Sequence, residues 1–570
     1  MNKDLIFATH MAHAVMIEGE TFMPTKYMVA EQNILDLLIQ RSSEMSEEVY
    51  LTYYSSGGVH RSYTYNDFRK QVFQTANLLK SKGLIEESRV AILGYNHPDV
   101  VVFYFAAWCA GMTVVPLNAS ESKERLQFIL ENSETAFLFY LNDYQLLAES
   151  LKTEALEILS EEDFHKEKET FPDSLALGGV VDTRKKGMSN FDENATFADL
   201  ETEAMIVYTS GTTGNPKGVV LTQYNLLVDA NAIARHHGLV KGDAMMCVLP
   251  IHHVNGTVVT LVTPMIYGGR VVLNQKFSTE HFFERLANEK VQIVSVVPTL
   301  LQFLHAADIN LTKYDLSGFR HFICGAGPLT VELVAKFEKH YGFKVIHGYG
   351  LSETTCYSCF LPTELEKTDH DRWLKDFGFP SIGVPLPINE MAILNERGEK
   401  VREGWRGEIV IRGHNVMKGY FKNPDANIKA FEKGWFHSGD EGFFKVAENG
   451  QKYFFITGRL KELIIRGGVN LSPFEIDEVL NGIDGVRAAI AVGFENDWYG
   501  EEVGAYVSLK SGVVKSKEEI ISECAKRLPF QKCPKVIVFG DEIPVTSTGK
   551  YQRGKVKHLF AEWKSVQFKG

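Results

Sequence analysis

Apolar residues recur at helical spacing over residues 33–41 (NILDLLIQR) and again over 67–82, so both stretches are predicted as amphipathic helices. Between them, 50–54 and 62–65 are rich in aromatic and β-branched residues and predict two strands around a turn. Residues 89–93 (RVAIL) predict a short buried strand. The most apolar stretch, 100–117, contains Gly111 and Pro116 and is short for a bilayer span. It predicts a buried helix over 101–110 running into a buried strand over 113–116. Apolar strands and helices go on alternating through 206–208, 269–273 and 292–297. That rhythm belongs to βαβ units with parallel sheet, an α/β fold.

Two changes of texture follow. Residues 143–201 are rich in Glu, Lys, Asp and Ser and contain Arg184-Lys185-Lys186-Gly187, which predicts surface helix and loop. From 391 onward the apolar runs shorten (391–394, 407–412, 443–444, 452–456), predicting a β-rich subdomain. Residues 463–570 alternate compact strands and helices with their own apolar set, so a smaller α+β domain is expected to begin near 458–461.

Composition narrows the class. A chain of 570 residues exceeds one hydrophobic core, and 45% hydrophobic with 23% charged residues is ordinary for a globular protein. A formal net charge of −12 argues against a nucleic-acid coat. The first twenty residues are interrupted by Asp4, His10 and His13 and do not read as a secretory signal. Seven scattered cysteines, an odd count, suit packed thiols in a reducing, cytoplasmic setting. Cys356 and Cys359 form a CxxC without a second pair, which argues against zinc. No transmembrane segment is expected, and peripheral membrane contact stays open.

Candidate chemistry starts at 208–218, YTSGTTGNPKG, where a buried strand runs into a loop of Gly, Ser and Thr. Glycines let backbone N–H groups converge, hydroxyls donate hydrogen bonds, and Lys217 offers a cation, which together suit phosphate oxygens. The spacing is not that of a Walker A loop. Further on, Ser472 and Glu475 frame a capping box with Pro473 at the first helical position, placing Gly467 and Gly468 in a loop just before a helix start. The pair His252-His253 is read on a strand, pointing to opposite faces, which makes joint metal chelation awkward.

The 208–218 string closely resembles the signature loop of the adenylate-forming (AMP-binding) superfamily, which includes acyl-CoA synthetases, peptide-synthetase adenylation domains and beetle luciferases. Further motifs follow in family order over nearly the whole chain. The resemblance implies an N-terminal AMP-binding domain over 1–458, a hinge at 459–461 that contains Lys461, and a small mobile C-terminal domain over 462–570. It implies ATP and AMP contacts from Thr209, Ser210, Gly211, Thr212, Thr213, Gly214 and Lys217. The turn Gly325-Ala326-Gly327 and the string from Gly348 to Thr355 would flank adenine, with Tyr349 stacking and Gly350 and Ser352 beside it. Glu353 would hold Mg²⁺, and Thr354 would touch the α-phosphate. Asp440 would take the ribose hydroxyls, and Arg459 ribose and phosphate. Lys550, in PVTSTGK, would be the mobile catalytic lysine. Gly467, Gly468 and Val469 would lie beside the pantetheine arm of coenzyme A.

The activity implied is two-step. A carboxylate attacks the α-phosphate of ATP, giving acyl-AMP and pyrophosphate, and the thiol of coenzyme A then displaces AMP. No side-chain nucleophile is needed, which agrees with the absence of a G-x-S-x-G arrangement. His253, Val254, Gly325 and Gly348 would line the acyl pocket. No Asp lies between 250 and 264 to hold a substrate ammonium, so an aliphatic or aryl acid such as a fatty acid is expected over an amino acid. A separate carrier protein as thiol donor, and a non-catalytic nucleotide-binding module, are the alternatives left open.

Overall fold

The computed structural model describes residues 27–174, 199–209, 216–545 and 551–568, with the backbone of two further short strands, Ala14–Ile17 and Glu20–Pro24. Ser210, Gly211, Thr212, Thr213 and Gly214 of the signature loop, Lys550, and the basic run 184–187 lie outside the described residues. The two early helices form as Ile34–Glu44 and Tyr65–Ser81. Asn33 caps the first by accepting the Asp36 N–H, and Thr64 with Asp67 closes a capping box on the second.

The apolar stretch resolves into the helix Pro98–Cys109, every residue of it buried, and the strand Thr113–Leu117. A helix apolar all round has no face to give to water. Its Trp108 indole donates to the Ala204 carbonyl at 2.9 Å, tying it to the strand that leads into the signature loop. No helix among the described residues is long and apolar enough to cross a membrane.

Among the described residues, seven strands form one sheet in the order Gly419–Tyr420, Lys217–Thr222, Glu203–Thr209, Thr113–Leu117, Arg89–Leu93, Phe137–Tyr140, Glu157–Ser160. From Glu203–Thr209 outward to Glu157–Ser160 the pairs are parallel. Glu157–Ser160 corrects the reading of 143–201 as surface only. An edge strand contacts one neighbour, and the following helix Glu161–Lys168 buries little beyond Phe164 and Lys168, so a polar composition is compatible with both.

Among the described residues, a nine-stranded sheet is parallel through Val49–Tyr54, Arg270–Asn274, Ala244–Cys247, Ile293–Val296, His321–Cys324 and Lys344–Tyr349. The shorter β-runs form a four-stranded antiparallel sheet of Asn389–Leu394, Gly407–Gly413, Phe436–Val446 and Lys452–Arg459. Beyond it, Ile464, Leu471, Ile476, Val503 and Ile537 belong to a core cluster of their own. The molecule is thus α/β, with a β-rich part and a small α+β part at its C-terminal end. The turns that follow the parallel strands gather at their carboxyl ends, where open α/β sheets bind ligands.

Candidate active site

The signature loop hangs from the hairpin of Glu203–Thr209 and Lys217–Thr222, with Lys217 opposite Thr209 and Gly218 opposite Tyr208. A Cβ on Gly218 would stand 2.7 Å from Ile206 Cγ2 and 3.0 Å from Tyr208 Cζ, so close strand packing requires glycine there. The Tyr208 hydroxyl donates to Asn132 Oδ1 at 2.6 Å and anchors the strand before the loop.

Lys217 emerges with its ammonium 4.6 Å over the Tyr420 ring, and the Tyr420 hydroxyl donates to Glu353 Oε1 at 2.9 Å. Burial and then the nearby charge of Lys461 hold the Lys217 ammonium below its usual pKa, against the pull of Glu353. Crowded ammonium groups of this kind are what an anion relieves. Tyr420 is absent from the sequence reading. It belongs to no motif, and only its pairing opposite Val219 brings it here.

A second group forms between the sheets. The Tyr349 hydroxyl donates to Asp440 Oδ2 at 2.7 Å, and Arg459 Nε lies 3.3 Å from Asp440 Oδ1. Asp440 and Arg459 face each other across paired strands, and the Ser438 hydroxyl accepts the Asp440 N–H at 3.0 Å. Asp440 is buried at 2% exposure, and its charge raises the pKa of Arg459. Tyr349, Asp440 and Arg459 were each expected at a nucleotide, and the structure brings all three together.

The small-residue turn has a tighter cause than access for a flat ligand. Ala326 holds φ at 60°, a left-handed conformation that costs energy for any residue with a Cβ. A Cβ on Gly325 would come within 2.8 Å of Tyr357 Cε1 and Oη, and one on Gly348 within 2.5 Å of the Phe360 ring. Tyr357 is itself pinned: its hydroxyl accepts from Asn255 Nδ2 at 3.0 Å, and Asn255 Oδ1 accepts from the Ser295 hydroxyl at 2.8 Å. Asn415 Nδ2 donates to its carbonyl at 2.8 Å and Asp229 accepts its N–H at 3.3 Å. Neither Tyr357 nor Asn255 was singled out in the sequence.

Two expectations change. His252 and His253 sit in a turn at the start of a π-helical stretch, Asn255–Val262, not on a strand, and their rings lie 4.4 Å apart instead of on opposite faces. A Cβ on Gly256 would be 2.3 Å from the Pro250 carbonyl oxygen, so the chain folds back too sharply for extended backbone. Burial pushes His252 down to about 4, so it is uncharged at neutral pH. Second, Thr354 has no exposed surface, and its hydroxyl bonds the Leu351 backbone at 3.0 and 3.3 Å, whereas Ser352 beside it is partly exposed.

Toward the C-terminus, Ser472 caps the helix Pro473–Asn481 as its spacing predicts, but only half of the box forms. Glu475 turns instead to Lys532 at 2.7 Å and Arg406 at 3.5 Å. Gly467 and Gly468 hold positive φ in an exposed loop with nothing within 4 Å of an added Cβ, and Val469 is exposed beside them. Val545 and Tyr551, which flank the segment with Lys550, pair in an antiparallel bridge. Both line a cavity of about 770 Å³ together with Ile543, Asn96, His252, Val297 and Leu300. His253, Val254, Gly325 and Gly348 are not among its walls.

The profile of AMP-binding enzymes matches residues 40–421, and that of the AMP-binding enzyme C-terminal domain matches 475–550. The chain belongs to the AMP-binding enzyme family. This AMP-binding enzyme is 30% identical to sulfoacetate–CoA ligase of Cupriavidus necator over 91% of its own length and 96% of the relative's. It is 31% identical to oxalate–CoA ligase of Arabidopsis thaliana over 85% and 91% of the two chains. Its fold matches o-succinylbenzoate CoA synthetase of Bacillus subtilis, solved with its acyl-adenylate intermediate, with a TM-score of 0.77 and 27% identity over 93% and 99% of the chains. The AMP-binding enzyme is an AMP-forming acid–thiol ligase.

Proposed function

We propose that the enzyme joins a compact carboxylic acid to coenzyme A through an acyl-adenylate. The observation that carries the two-step reading is the pair of groups built around Asp440 and Lys217. Asp440, with Tyr349 and Arg459 fixed on it, offers a buried carboxylate to ribose hydroxyls. Adenine lies against the Gly325–Gly327 turn and Tyr349. Lys217, with residues 209–214, takes the phosphates.

Glu353 suits a divalent cation: one oxygen is oriented by the Tyr420 hydroxyl, and a lone carboxylate completed by phosphate oxygens is how Mg²⁺ is commonly held. Bound there, Mg²⁺ would supply neutralisation of phosphate charge. With Thr354 turned inward, the partly exposed Ser352 is the hydroxyl we assign to the α-phosphate. An oxygen of the acid forms a bond to the α-phosphorus as the bond to pyrophosphate breaks, with Lys550 between the two anions. The coenzyme A sulfur then bonds to the acyl carbon, AMP leaves, and the thiol proton passes to solvent. Positioning and charge neutralisation do the work, and no residue is acylated. In the second step Gly467, Gly468 and Val469 lie along the pantetheine arm after the C-terminal part turns about Lys461.

Acid size follows from Tyr357. If the acyl group lies against Gly325 and Gly348, the space behind it is already filled by Tyr357, Phe360 and Asn255. That favours short aliphatic or small aryl acids over long fatty chains. Acid-dependent ATP–pyrophosphate exchange over a graded panel, followed by AMP release with and without coenzyme A, tests both parts. Exchange with no acid in the panel would sink the adenylation reading, and a preference for dodecanoate over butanoate would sink the size reading. Tyr357→Ala is expected to raise kcat/KM for acids longer by two or three methylenes by roughly tenfold relative to short ones, the scale of hydrophobic discrimination per group. Tyr357→Phe, which keeps the ring, should leave the size preference unchanged.

A further inference from the structure

The helix Pro473–Asn481 turns two faces in two directions. Asp477 and Asn481 face the C-terminal sheet. Asp477 Oδ1 accepts Arg553 Nη1 at 3.0 Å and the Ala491 N–H at 2.6 Å, and Asn481 bonds the Ala489 backbone at 2.9 Å. Ser472, Glu475 and Glu478, three residues apart, face the larger part of the molecule. The Ser472 hydroxyl donates to the Thr457 carbonyl, and Glu475 is shared between Arg406 at 3.5 Å and Lys532 of the C-terminal part at 2.7 Å.

Glu478 reaches the start of the helix Val331–Tyr341. Its Oε2 accepts the Val331 N–H at 3.0 Å and its Oε1 the Glu332 N–H at 3.1 Å. A helix start leaves four N–H groups without an intrahelical partner and carries partial positive charge. Thr330 takes the Leu333 N–H at 3.2 Å, so this helix depends for its first two groups on a carboxylate 147 residues beyond Val331. The same helix begins at Val331, four residues after Gly327 of the turn with its left-handed Ala326. The carboxylate therefore ties the C-terminal part to the helix that follows the turn assigned to adenine.

The orientation tied down is the one in which Val545 and Tyr551, flanking Lys550, face the cavity wall at His252 and Leu300, while the Gly467-Gly468 loop stands in solvent. We propose that Glu478 is a positioning residue that latches the C-terminal part in the adenylate-forming orientation by capping the helix Val331–Tyr341, and that this cap has to open before the thioester-forming step. The proposal rests on the two-step reading above. It makes Glu478 act on one half-reaction without touching substrate.

Glu478→Lys places a cation against the positive helix end and removes both acceptors. It is expected to slow acid-dependent ATP–pyrophosphate exchange about tenfold or more. Thioester formation from supplied acyl-AMP and coenzyme A should be unchanged or faster, and Glu478→Gln, which keeps one carbonyl acceptor, should fall between. Equal losses in both half-reactions, or exchange at the wild-type rate, would overturn the latch. Orientation is read separately by small-angle scattering of the substrate-free chain. Glu478→Lys should move the curve away from that calculated for this structure, and an unmoved curve overturns the proposal whatever the activity. A wild-type protein that shows no acid-dependent exchange contradicts the reaction reading and leaves the scattering test of the latch standing.

Discussion

Replacing Lys550 by alanine is expected to slow acyl-adenylate formation by roughly two to three orders of magnitude, the usual effect of deleting one preorganised charge partner of a transition state. The carboxylate of the acid and the α-phosphate are both anions, and in-line attack brings them into contact. Of the cations described at the site, Lys217 is assigned to the phosphates of the leaving pyrophosphate, and Arg459 is paired with Asp440. Lys550 is assigned to the contact itself from the Thr-Gly-Lys string, and its chain neighbours Val545 and Tyr551 line the cavity. Thioester formation from supplied acyl-AMP should hold within a few-fold, because AMP is then the leaving group and no new anion approaches phosphorus. Measuring the two half-reactions separately decides it: equal loss in both removes Lys550 from the adenylation step.

Asp440 carries the second large effect. In Asp440→Asn the Tyr349 hydroxyl keeps an acceptor, but Arg459 and, on the proposed reading, the ribose hydroxyls lose a charged one. ATP KM is expected to rise about tenfold or more, since hydrogen bonds to charged groups contribute about 1.5–3 kcal/mol. Asp440→Ala should lose nucleotide affinity to a similar extent and in addition lower the thermal midpoint, because the Tyr349 hydroxyl is then left buried without its partner at a cost of about 1–3 kcal/mol. A wild-type KM for ATP in Asp440→Asn would contradict the ribose role. Equal midpoints for the Asn and Ala variants would contradict the dependence of Tyr349 on Asp440.

Much of the fold can be read along the chain. The strand Arg89–Leu93 forms over the residues predicted, and the buried helix and strand around Gly111 form within a few residues of expectation. Those elements are short, continuously apolar, and bounded by glycine or proline, so local preference and burial agree. The edge strand Glu157–Ser160 was not legible because one-sided pairing demands little apolar character. The π-helical stretch after His253 was missed because Val258, Val259 and Leu261 suit a buried strand equally well, and only the return of Gly256 onto Pro250 excludes it.

The chemistry divides along the same line. Residues adjacent in the chain share a strand end or a turn whatever the rest of the fold does, so the ordered strings from Thr209 to Lys550 were enough to name an adenylate-forming enzyme and to nominate residues for its nucleotide. Contacts between distant segments exist only once the sheets have packed. Packing places Tyr420 between Lys217 and Glu353, and puts Tyr357 behind Gly325 and Gly348, the contact on which the proposed acid-size limit rests. It also carries Glu478 onto a helix that begins 147 residues earlier. Each of those three side chains is unremarked in sequence because its partner lies on another element, and it is the partner that confers the role.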